Sequence, residues 1–84
     1  VSKQEDPRSI ELADLNYVMS SQAGRNVLYR FLRYSGLDVD NFNKDTHIHA
    51  KNAGRREVGL FMRDELKYAC YNKYMLMMKE NEDG

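Results

Sequence analysis

The chain has 84 residues, 42% of them hydrophobic and 31% charged, and its thirteen basic and thirteen acidic side chains cancel to a net charge of zero. That length makes one small domain, which buries only about 60–65% of the surface its unfolded form exposes and is often helped by a partner. Neutrality argues against a strongly basic phosphate-binding surface, the single Cys70 excludes an intrachain disulfide and a multi-cysteine zinc site, and no apolar run approaches the ~20 residues of a membrane span.

One proline and almost no Val/Ile/Thr alternation argue against sheet. Charged residues precede Pro7 where a signal peptide would need an apolar core, so a soluble chain made inside the cell is expected. Asp6-Pro7 reads as an N-cap followed by a first-turn proline, which predicts a first helix over residues 8–19 with Ile10, Ala13, Leu15, Val18 and Met19 as its apolar stripe. Ser21 caps a second helix over residues 22–35, whose Val27, Leu28, Phe31 and Leu32 share one face at 3.6-residue spacing. Gly36 follows as a left-handed stop.

Residues 37–45 are rich in Asp and Asn and read as a loop, with Leu37, Val39 and Phe42 as plugs into the core. Asp45 or Thr46 caps a long third segment whose apolar positions run from Ile48 through Ala53, Val58, Phe61, Met62, Leu66, Ala69 and Cys70 to Tyr74, Met75, Met77 and Met78. An unbroken helix of that length is unusual in so small a domain, so a bend is expected near Tyr71-Asn72, with Asn72 capping a short final helix. The fold class is therefore all-α, a small bundle of three to four helices with a long third one. Residues 1–84 form a single helical domain with flexible ends at about 1–6 and 81–84.

Ala-Gly-Arg occurs twice, at Ala23-Gly24-Arg25 and Ala53-Gly54-Arg55. Glycine inside a helix costs roughly 1 kcal/mol relative to alanine, so Gly24, Gly54 and the nearby Gly59 are read as points where another helix crosses closely. Two copies are too few for a solenoid.

Chemistry-bearing patterns are weak. His47 and His49 do not share a helix face, and no third metal ligand is fixed by spacing. Asp38, Asp40, Asn41, Asn43 and Asp45 lack the central glycine and terminal glutamate of a calcium loop. Cys70 lies on the apolar stripe, where free cysteine behaves as a small hydrophobe. No nucleophile–base arrangement or phosphate-cradling loop is present, so neither enzymatic activity nor a cofactor is expected. Arg25, Arg30, Arg33, Lys51, Arg55 and Arg56 gather around helices two and three, but a nine-residue linker does not fit the short turn of a helix-turn-helix. Nucleic acid is not the expected partner. Tyr, Met and Arg are enriched in protein interfaces, which makes Arg25, Arg55, Arg56, Tyr71, Tyr74 and Met77 candidates for contact with a partner protein. The alternative for the tyrosine- and methionine-rich tail is packing back on helices one and two.

The string Gly54-Arg55-Arg56-Glu57-Val58-Gly59-Leu60 resembles a family of small phage proteins first defined from a Bordetella podophage. Asp14-Leu15, Tyr17-Val18-Met19, Gly24-Arg25 and Val27-Leu28-Tyr29-Arg30-Phe31-Leu32 are similar too, so that the likeness spans roughly residues 12–78. The family often carries a proline where this chain has Cys70-Tyr71-Asn72. The resemblance implies a noncatalytic protein made with capsid, portal and tail components. Its partners would be those phage structural proteins, met as repeated copies in a ring, and its place the virion or the host cytoplasm during assembly. The alternatives are a small phage regulator that binds nucleic acid or a host protein, and an assembly chaperone lost from mature particles.

Overall fold

The computed structural model describes residues 6–36 and 46–82, with side chains in the second stretch described from Ala53 onward. The expected Asp/Asn loop with its three plugs, the calcium-like pattern, the histidine side chains and most of the expected flexible ends lie outside the described residues. Three helices follow in order: α1 (Pro7–Met19), α2 (Gln22–Tyr34) and α3 (Thr46–Glu80). No strand occurs among the described residues.

Local chemistry sets the helix ends. Pro7 occupies the first turn of α1, where its missing N–H costs nothing. Asp6 has the extended backbone of an N-cap, but its carboxylate accepts from Ser9 Oγ (3.3 Å) rather than from a backbone amide. Ser21 does cap α2, accepting from the Gly24 amide at 3.0 Å. Gly36 ends α2 with φ +77°, the left-handed conformation that glycine adopts without penalty.

α3 is helical throughout except at Cys70, where φ −157° and ψ 66° break the register. The expected bend thus falls one residue before Tyr71, without a proline, and Asn72 is already inside the following turn rather than capping it.

α1 and α2 form a hairpin joined by Ser20 and Ser21 and packed on α3. The core is Met19, Leu32, Leu66, Cys70, Tyr74 and Met77, flanked by Leu15, Leu28, Tyr29, Met62, Ala69 and Met78. α1 therefore faces inward along Leu12, Leu15 and Met19, at helical spacing, while Ile10, Ala13 and Val18 of the expected stripe are exposed. α2 faces inward along Arg25, Leu28, Tyr29 and Leu32; Val27 and Phe31, expected in the core, are exposed. On α3, Val58 and Phe61 are likewise on the outside.

Two ion pairs fasten the hairpin to α3. Arg8, in the first turn of α1, makes a forked pair with Glu65 at 2.7 and 2.6 Å. Those hydrogen bonds hold the Glu65 carboxyl below its ordinary value of 4.5. A carboxyl depressed in the folded state contributes stability above its unfolded pKa and loses it as pH falls through the folded pKa. Glu65→Gln should therefore lower Tm at pH 7, and the gap to the parent chain should close on acidification below about pH 4. A gap independent of pH would show that the pair contributes nothing.

Candidate functional site

The expected helix crossings are of three kinds. At Gly24 an added Cβ would lie 1.9 Å from the Val18 carbonyl oxygen and 2.9 Å from its carbon, so the α1–α2 corner closes directly on this backbone. Gly59 is buried. Gly54 is exposed, and a Cβ there meets nothing within 4 Å among the described residues; the expected crossing at Gly54 is corrected on that ground.

Arg25, the last residue of the first tripeptide, is turned inward. Its Nε and Nη2 donate to the Glu80 carboxylate at 2.9–3.2 Å, and its Nη1 donates to the Met19 carbonyl at 3.0 Å. One guanidinium so joins the end of α1, the start of α2 and the end of α3, and satisfies a terminal helix carbonyl that would otherwise lack an intrahelical donor. The planar fork suits this task in a way lysine would not. Arg25 is thus corrected from a partner contact to an internal clasp. Tyr74 and Met77 are corrected as well: Tyr74 is buried and Met77 fully so, because the tail packs back on the hairpin. Lys67 Nζ stands 5.7 Å from the Tyr74 ring centre, covering its edge of the core.

The remaining candidates lie where a partner could reach them. Tyr71 is exposed, and Arg55 and Arg56 are half-buried. The Arg55 guanidinium sits 4.8 Å from the ring centre of Tyr34, which places the last residue of the second tripeptide beside the end of α2. Together with the Arg25–Glu80 clasp, this contact shows that α2 runs opposite to α3.

Larger contributors to the surface lie beside these candidates, Tyr68 and Met75 of the tyrosine- and methionine-rich tail among them. Tyr17 is 81% exposed, Tyr68 75%, Tyr34 68% and Phe61 61%, with Val27, Val58, Met75 and Leu76 also open. Single exposed apolar residues are ordinary, but each helix here carries several on its outer side, and such surfaces mark interaction sites. Two shallow concavities accompany them, one of about 610 Å³ bounded by Tyr29, Met75, Met78 and Lys79, the other of about 390 Å³ at the α1–α2 corner beside Tyr17 and Gly24.

Among the described residues no three His, Cys, Asp or Glu group to hold a metal. Burial pushes the Cys70 thiol up, with the Lys73 charge opposing only in part, so the sulfur stays protonated near neutrality. Cys70 is therefore expected to react slowly with a thiol reagent in the native chain and rapidly once denatured. Equal rates in both states would overturn its placement in the core.

No helix among the described residues is long and apolar enough to cross a membrane. No curated protein and no solved structure matches the chain. The model of a phage family matches residues 15–79, from the inward face of α1 to the last turn of α3, and the chain belongs to the family described as Bbp19-like phage protein.

Proposed function

We propose that this phage protein is a noncatalytic structural component that docks on the portal, tail or inner capsid machinery. The observation that carries the reading is the large, mostly aromatic apolar area left open among the described residues. Tyr68, Phe61 and Tyr71 on α3, with Arg55 and Arg56 near its start, have the composition of protein-contact residues. On a ring-shaped assembly, repeated copies would each add a modest contact, and the sum would hold them in place. The protein would then reside in the virion, or in the host cytoplasm during assembly. Quantitative mass spectrometry of purified particles tests this: a fixed copy number per virion is expected, and absence from both virions and proheads would overturn it. Presence in proheads alone would select the assembly-chaperone variant.

A second reading, a regulator binding nucleic acid, draws on α2. Its exposed Arg30 and Arg33 are accompanied by no acidic residue within the helix, and Arg55 stacks beside them on Tyr34. A gel shift that weakens steeply with salt would favour it.

A further inference from the structure

The outward side of α3 has an order of its own. Opposite the buried Leu66 and Met77 run seven exposed residues at spacings of three and four: Glu57, Phe61, Asp64, Tyr68, Asn72, Met75 and Lys79. This stripe is palindromic in chemistry about Tyr68. Counting outward in both directions gives Asp64 and Asn72, then Phe61 and Met75, then Glu57 and Lys79. From end to end it extends about 33 Å along the helix. Tyr68 stands before the bend at Cys70 and Asn72 after it; the buried Leu66, Cys70, Tyr74 and Met77 keep spacings of three and four through the bend, so the side opposite them stays outward on both sides of it.

We propose that two copies of this chain pair through the outer face of α3, antiparallel, about a twofold axis passing at Tyr68. A twofold makes an interface self-complementary, so residue i meets j and j meets i. In this register Tyr68 stacks on its own copy, Phe61 covers Met75 of the other helix, Asn72 donates to Asp64, and Glu57 faces Lys79, each of the last three twice. A parallel pairing would instead set Glu57 on Glu57 and Lys79 on Lys79. Glu57 and Lys79 make no ion pair with any described residue within one chain, so both are available to the second copy. Aromatic side chains bury about 150–250 Å² each. With Val58, Tyr71 and Leu76 at its margins, the face therefore offers on the order of 1,000 Å² per pair, near the lower bound of specific interfaces. That size fits a reversible dimer. Pairing takes up Phe61 and Tyr68, so a paired chain would dock on a portal or tail through the exposed Tyr17, Phe31 and Tyr34 of the hairpin instead, and particle composition does not test the pairing.

Sedimentation equilibrium of the purified chain over micromolar to near-millimolar concentrations measures it directly. A reversible species of twice the 9.9 kDa chain mass is expected. Tyr68→Glu should leave the helical circular dichroism unchanged and abolish the dimer. Lys79→Glu should weaken dimerisation about tenfold, since two opposed charge pairs become repulsive, and Glu57→Lys combined with Lys79→Glu should return it to within about twofold of the parent. A chain that is monomeric throughout overturns the proposal, as does a dimer indifferent to Tyr68→Glu. Failure of the double charge exchange to rescue Lys79→Glu overturns it too.

Discussion

Gly24→Ala should destabilise the domain by about 3 kcal/mol or more, although alanine is the better helix former by roughly 1 kcal/mol. The sign is decided by contact. A methyl group at this position would sit 1.9 Å from the Val18 carbonyl oxygen, and that neighbour is backbone, unable to rotate away. The corner can open only by moving α1 relative to α2, which disturbs the Arg25 bond to the Met19 carbonyl and the clasp on Glu80 in the same displacement. Gly54→Ala supplies the control. The residue is exposed in α3, and no described residue lies within 4 Å of where its Cβ would go, so the same substitution should stabilise by about 0.5–1 kcal/mol. Urea unfolding of the two variants followed by circular dichroism measures both. If Gly24→Ala is neutral or stabilising, the closeness of the corner has no energetic meaning.

The contrast between the two glycines shows what a sequence carries and what it withholds. The repeated tripeptide draws attention to both positions, yet only one is held against a neighbour. Nothing within three or four residues of Gly54 reveals that no described residue comes within 4 Å of where its Cβ would go. Helix ends, by comparison, are set by neighbours in sequence: Pro7, Ser21 and Gly36 mark the boundaries of α1 and α2 to within a residue because capping and backbone chemistry are local. Helix faces are less legible. On α2 the apolar residues Val27 and Phe31 spell a convincing stripe with Leu28 and Leu32, but the buried side is centred on Arg25, a residue whose type argues for solvent. Its burial is made tolerable by Glu80, fifty-five residues away, and no local pattern announces such a partner. α3 is harder still, because Leu66 and Met77 on one side and Phe61, Tyr68 and Met75 on the other are all apolar. A periodicity that repeats on both faces does not say which one meets the hairpin. The exposed side of α3 is hidden in the sequence by its likeness to a core.

The inward face of α3 is where truncation should cost most. Leu66 and Met77 are fully buried, and together with Met19 they are the largest side chains without solvent contact. Leu66→Ala and Met77→Ala should each lower stability by about 2–5 kcal/mol, the lost transfer energy of the removed atoms plus the cavity left behind. For a domain this small, whose entire stability is of the order of 5 kcal/mol, either loss takes much of the folded population. The core has little means to absorb the gap. Among the described residues it consists of six buried side chains, and the hairpin is pinned to α3 at both ends by Arg8–Glu65 and Arg25–Glu80, which oppose collapse into a cavity. Leu66→Met conserves volume and should cost less than about 1.5 kcal/mol. Tyr17→Ala, on the open side of α1, should stay within about 0.5 kcal/mol of the parent. Chemical denaturation at low micromolar concentration separates the three cases. A cost below about 1 kcal/mol for both Leu66→Ala and Met77→Ala would mean that α3 turns a different face to the hairpin. The stripe centred on Tyr68 would then have to be sought inside the fold rather than on it.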